Sequence, residues 1–139
     1  MSIANFGMSP ALLAGMNTTT TKTAALETKT ARWALGYADR FALIMAHHSA
    51  ISAVQLLEAT CRGTGQDAAA HMFLAVALER RAASGEWQLS DALLHAADWH
   101  RFHARVIGSV RAGSTREAAH ASRDRSAAER ELVAALRAN

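Results

Sequence analysis

Proline is nearly missing from this chain. Pro10 is the only one, so after the tenth residue no proline ring interrupts a helix. Cysteine is as scarce: Cys61 stands alone, which excludes an internal disulfide and suits a reducing compartment, and a cytoplasmic location is expected. Aromatic residues make up 6% of a chain that is 50% hydrophobic, so much of the apolar content is alanine, the strongest helix former. No stretch alternates β-branched with polar residues over a strand's length. The longest uncharged apolar run, Phe41 to Leu57, is interrupted by His47, His48, Ser49, Ser52 and Gln55. It makes a poor membrane span, and no membrane partner is expected. No charge precedes Lys22, so the basic opening of a secretory signal is missing. Nucleophile elbows and phosphate loops are absent too, and neither an enzyme nor a cofactor is expected.

What is present points to an all-α bundle of about four helices with a loosely ordered N-terminal segment. The 139 residues suit one domain. It divides into an uncharged segment over 1–22, a helical core over 23–113 and a polar, arginine-rich helix over 114–139. In the first segment Ile3, Phe6, Met8, Leu12 and Leu13 could pin the chain to the bundle. A long helix is predicted from Thr23 toward Thr60. Its seam would be Leu26, Trp33, Tyr37, Ile44, His48 and Ile51, spaced seven, four, seven, four and three apart. A break near His47–Ser49, with Ser49 as a new N-cap, is left open. The Arg62–Gly65 turn leads to a central helix over Gln66–Ala83 that carries large apolar residues almost all round its axis. Gly85 is the expected residue just past its end.

The most strongly patterned stretch is Leu89–Val110. Ser90 reads as its N-cap and Leu89 and Leu94 as a hydrophobic staple. Leu89, Ala92, Leu93, Ala96, Trp99, Val106, Ile107 and Val110 share one face. His100 and His103, one turn apart, fall within that apolar arc, and His95 lies at its edge. The final helix follows a capping box at Ser114–Glu117. Only Leu132, Val133 and Leu136 offer it a docking point, so its removal is expected to leave the core folded.

Charge is unevenly spread. Residues 1–100 hold seven basic side chains against eight acids, whereas from Arg101 onward eight arginines face four acids. Basicity so placed invites an acidic partner for the C-terminal part. Arg111, Arg116, Arg123, Arg125 and Arg130 are the candidate contacts. Interleaved acids and the lack of any aromatic residue after Phe102 favour protein over nucleic acid, which stays open as an alternative.

Histidines supply the other candidate chemistry. Asp67 with His71, Asp91 with His95 and Glu117 with His120 have same-face helical spacing, as do His100 and His103. A metal centre in a bundle would need such pairs. If a metal binds, His48, His71, His95, His100 and His103 are the candidate ligands; the plainer reading is of core histidines bonded to carbonyls or to one another. The run HHSAISAVQLLEA from His47 resembles the first helix of hemerythrin-type domains. Ala75 stands where that family's His-x-x-x-Glu pattern would need its glutamate after His71, so the resemblance carries no di-iron site. Cys61 beside Arg62 has the setting of a reactive thiol, or of an ordinary helix-end cysteine. The uncharged opening, rich in Ser, Thr and Asn, resembles those of type III secretion substrates. The sequence thus leads to a non-enzymatic interaction module, an adaptor, chaperone or small subunit of a larger assembly. Self-association is left open. Nucleic-acid binding, a histidine–carboxylate metal site and export are the alternatives.

Overall fold

The structure is a computed structural model that describes residues 18–47, 49–64, 67–84 and 87–138. Five helices account for it: α1 (Thr18–Ala46), α2 (Ala50–Thr64), α3 (Ala68–Ser84), α4 (Trp87–Arg111) and α5 (Thr115–Ala138). Among the described residues there is no strand, and no helix is long and apolar enough to cross a membrane. The fold is all-α, as expected. The expected roles of residues 1–17, His48, Gly65 and Gly85 lie outside the described residues.

The count is five because the long first helix divides. α1 stops at Ala46 and α2 begins at Ala50. Ser49 caps the new helix: its Oγ accepts from the Ser52 N–H at 3.3 Å, and its carbonyl accepts from Ala53 at 3.0 Å. A serine there satisfies donors that a helix start leaves open. The expected seam of the long helix holds in part: Tyr37 is fully buried and Ile44 packs against the core, but Trp33 is 38% exposed and Ile51, now on α2, 74%. The face of α1 that packs also carries Ala31, Ala34, Ala38, Phe41, Ala42 and Met45. Small alanines let a neighbouring backbone come close, so they decide which face is buried even where larger residues are available.

α4 lies at the centre. It packs most extensively against α5 and α3, while α1 packs against α3. Its start falls earlier than expected, at Trp87, so Ser90 is inside the helix and does not cap it. The Ser90 hydroxyl donates to the Ala82 carbonyl of α3 at 3.0 Å. Ala92, Leu93, Ala96, Trp99, His100 and Ile107 are buried as the periodicity implied, but Val110 is exposed. Gly113 closes the helix at φ 75°, a left-handed conformation that glycine adopts without strain. α3 is capped by Asp67, whose Oδ1 accepts from Ala70 N–H at 3.2 Å. Arg101 of α4 reaches Glu79 of α3 in a two-pronged ion pair.

α5 differs most from its expected role. Leu132 and Leu136 are fully buried within the main core cluster, Ala128 joins that cluster, and Ala121 is buried as well. The helix is docked along its length. Residues 118, 121, 125, 128, 132 and 135 face the bundle, a spacing of three and four that marks one helix laid along another. Alanines again supply much of the contact, which is why counting large apolar residues missed it.

Candidate functional site

The core of this bundle contains a chain of polar rings. Tyr37 on α1 meets His100 on α4, with its hydroxyl 2.7 Å from Nε2. The other nitrogen of His100, Nδ1, lies 3.0 Å from Nδ1 of His71 on α3. His71 and His100 are both fully buried. One turn beyond His100, His103 sits edge-on to His71 at 4.5 Å between ring centroids. His103 Nε2 lies 3.5 Å from Cys61 Sγ on α2, and its Nδ1 lies 2.6 Å from an Arg125 guanidinium nitrogen on α5. Trp99 stacks on His103 at 15° and 5.1 Å, while Arg125 lies 5.7 Å over its indole. Every helix contributes at least one member, and α4 contributes Trp99, His100 and His103. Among the described residues, no buried side-chain nitrogen or oxygen lacks a hydrogen-bond partner.

Burial sets the charge states. It pushes the His71 imidazole down to about 4, helped by His103, with Asp67 opposing. Burial also holds His100 well below its ordinary value, with His71 and His103 adding to the effect. His103 is lowered by burial and then by Arg125. Near neutral pH all three rings are therefore neutral, each with one proton and one lone pair. Burial raises the Cys61 thiol, opposed by Arg125, and keeps the Tyr37 phenol protonated well beyond its usual range.

Neutral rings constrain one another. Between His71 Nδ1 and His100 Nδ1 one nitrogen donates and the other accepts. If His71 donates, His100 has its proton on Nε2 and donates to the Tyr37 oxygen. His71 Nε2 then holds a lone pair. If His100 donates instead, its Nε2 accepts from the Tyr37 hydroxyl and the proton of His71 sits on Nε2. Passing from one arrangement to the other takes a proton up at His71 Nε2 and releases one at the Tyr37 oxygen, so the rings stay neutral only if both ends exchange protons with their surroundings.

Cys61, His71 and His103 each offer one ligand atom, and all three atoms lie within 4.8 Å of one another. In a tetrahedral zinc site, bonds of about 2.3 Å to sulfur and 2.0–2.1 Å to nitrogen place sulfur and nitrogen about 3.6 Å apart. The 3.5 Å between Cys61 and His103 meets that spacing without movement. The widest separation in the trio, within 4.8 Å, must close by at most about 1.2–1.5 Å for a tetrahedral set. A cavity of about 540 Å³ opens beside the trio, lined by Glu58, Cys61, Arg62, Trp99, Arg125 and neighbours on α5.

Among the histidines singled out from sequence, His71, His100 and His103 come together. His95 is half-buried on α4 outside the trio, and His48 is outside the described residues. Asp67 caps α3, and His120 accepts from Arg123 at 3.1 Å. Cys61 and Tyr37 were not expected here, since nothing in linear spacing connects positions 37, 61, 71 and 103. Arg125 was expected on an outward partner-binding face and turns inward instead. Arg111, Arg116, Arg123 and Arg130 are exposed. Comparison with protein-family models, with curated proteins and with solved structures found no match to this chain.

Proposed function

We propose that this protein is a non-enzymatic metal-binding bundle that takes a transition-metal ion through Cys61, His71 and His103. The observation that carries the reading is the convergence of one thiol and two imidazoles from three helices within 4.8 Å. One sulfur and two nitrogens suit Zn²⁺, with Co²⁺ or copper as competitors, and do not suit Mg²⁺ or Ca²⁺. His71 has the support that a ligand imidazole needs: with Nε2 given to a metal, its Nδ1–H can donate to His100, which can donate in turn to Tyr37. A base-activated thiol is the weaker alternative. With Arg125 donating to His103 Nδ1, the ring's proton occupies the nitrogen that faces Cys61, so that nitrogen cannot take the thiol's proton. A thiolate ligand also suits a reducing cytoplasm.

The test is titration of the purified, reduced full-length chain with Co²⁺. One equivalent should give the visible bands of a tetrahedral site and a thiolate-to-cobalt charge-transfer band. Cys61→Ser should abolish the charge-transfer band, and His71→Gln should weaken binding. A chain that takes up no stoichiometric cobalt or zinc overturns the reading.

A second reading rests on α5. Arg116, Arg123, Arg130 and Arg137 recur every seven residues, and all four are exposed. They form a stripe opposite the docked face, spaced by about 10.5 Å along the axis. Among the described residues none of them makes an ion pair. Such a stripe matches a helix that presents carboxylates at the same seven-residue period, so an acidic helical partner is the favoured occupant. Replacing the four arginines with glutamine should abolish capture of an acidic heptad-repeat peptide and leave the fold unchanged. Equal capture by both forms removes this reading, and salt-sensitive binding to duplex DNA or RNA by the native chain alone replaces it with the nucleic-acid one.

A further inference from the structure

The metal reading contains a conflict at His103. A ligand imidazole ordinarily donates its second N–H to a carboxylate, a carbonyl or water. His71 can do so through His100. His103 cannot, because its Nδ1 lies 2.6 Å from Arg125. A guanidinium has only donors and keeps its protons, so Nδ1 must hold the lone pair and Nε2 the ring's proton. That Nε2–H faces Cys61 Sγ. A metal ion at Nε2 must displace the proton to Nδ1, and an N–H there would meet the N–H of Arg125 head to head. The contact with Arg125 and the bond to a metal exclude each other.

We infer that Arg125 is a latch on this site: it holds His103 in the tautomer that cannot ligate, and it leaves when a metal ion takes Nε2. The inference rests on the metal reading above. An open position for the guanidinium is at hand. Glu58 and Glu129 line the same cavity as Arg125, and Glu129 is four residues further along α5, where an ion pair on one helix face can form. Loading therefore exchanges an arginine–histidine hydrogen bond for a metal bond and an arginine–carboxylate pair. The exchange also uncovers Trp99, which lies under the Arg125 guanidinium and against the His103 ring. Metal occupancy in the core thereby reaches the solvent edge of α5 through one side chain, as a bistable contact that ligand binding biases.

The test uses Zn²⁺, which leaves indole emission unquenched, and full-length chains in which Trp33→Phe and Trp87→Phe leave Trp99 as the only tryptophan. Affinity is read by competition with a chelator and latch position by Trp99 emission. In the background chain zinc should change the emission. Arg125→Met removes the donor and should bind zinc about ten- to a hundredfold more tightly, because a hydrogen bond to a charged group no longer has to be broken. Its emission should start altered and respond little to zinc. Arg125→Gln offers a carbonyl that can accept from Nδ1–H, and it should bind at least as tightly as Arg125→Met. Equal zinc affinity in all three chains overturns the latch and leaves the metal site standing. No zinc uptake by any of them removes the metal reading, and the latch falls with it.

Discussion

Replacing Tyr37 with phenylalanine is the most informative single perturbation of the buried ring chain. The substitution keeps the aromatic volume, so it opens no cavity, and it removes one hydroxyl from His100 Nε2 at 2.7 Å. His100 is fully buried, so its Nε2 loses the hydroxyl out of reach of bulk solvent. A buried nitrogen left without its partner costs about 1–3 kcal/mol. For a chain of this length that corresponds to a melting temperature lower by roughly 4–12 °C. Urea unfolding followed by circular dichroism measures the loss directly, with the slope unchanged if the unfolded state is unaffected. The double mutant Tyr37→Phe, His100→Leu separates this bond from the rest. With the imidazole gone, the phenol is the group left unpaired, so the two losses should fall short of additivity by about 1 kcal/mol or more. The same single change should weaken zinc binding by less than the about 10–100-fold that loss of a ligand histidine's own partner costs, because Tyr37 reaches His71 only through His100. A stability change under about 0.5 kcal/mol, with additive losses, would refute the hydrogen-bonded chain itself.

Two further outcomes follow from the same structure. In the metal-free chain the buried histidines are neutral in the folded state with lowered pKa values, His71 to about 4, against roughly 6.5 unfolded. Stability should be complete above about pH 6.5 and fall by about 1.4 kcal/mol per pH unit for each such group as pH drops toward its folded value. Denaturant titrations between pH 7 and 4 measure this, and His100→Leu should reduce the slope. Truncation after Gly113 removes Leu132 and Leu136 from the core, each worth about 1.5–3 kcal/mol, and uncovers the face of α4 beneath them. Against a total of about 5–15 kcal/mol the shortened chain should be largely unfolded or molten by circular dichroism and thermal melting, and a cooperative melt near that of the full chain would contradict it.

The architecture was legible in the sequence to the extent that alanine's helix preference and the capping residues dictate it. Ser49 and Ser114 cap helices where they were read as caps, because a polar side chain beside an unpaired N–H has the same use in any fold, while Asp67, expected inside its helix, caps it. Which faces pack was harder to read. Trp33 and Ile51 attract attention by size, yet Ala34, Ala53 and Ala121 are at 0% exposure. Where helices pack closely, the absence of bulk selects the buried face, and hydrophobic weight alone gives the wrong side. The inward turn of His100 was visible from its place in the apolar arc of α4. Its partners were not, because Tyr37 is 63 residues away and His71 is 29. Arg125 shows the same limit: its composition said surface, while its register on α5 aims it at His103.

The short interruption between Ala46 and Ala50 has a consequence for where the site is assembled. Were α1 and α2 one straight rod, the 24 residues from Tyr37 to Cys61 would span about 36 Å at 1.5 Å each. Cys61 would then lie beyond its own bundle, and its place beside His103 could be filled only by the α2 of a second molecule reaching across. The corner that Ser49 caps therefore decides whether the thiol and the imidazoles of one chain can meet: with it, one chain completes its own ring of donors.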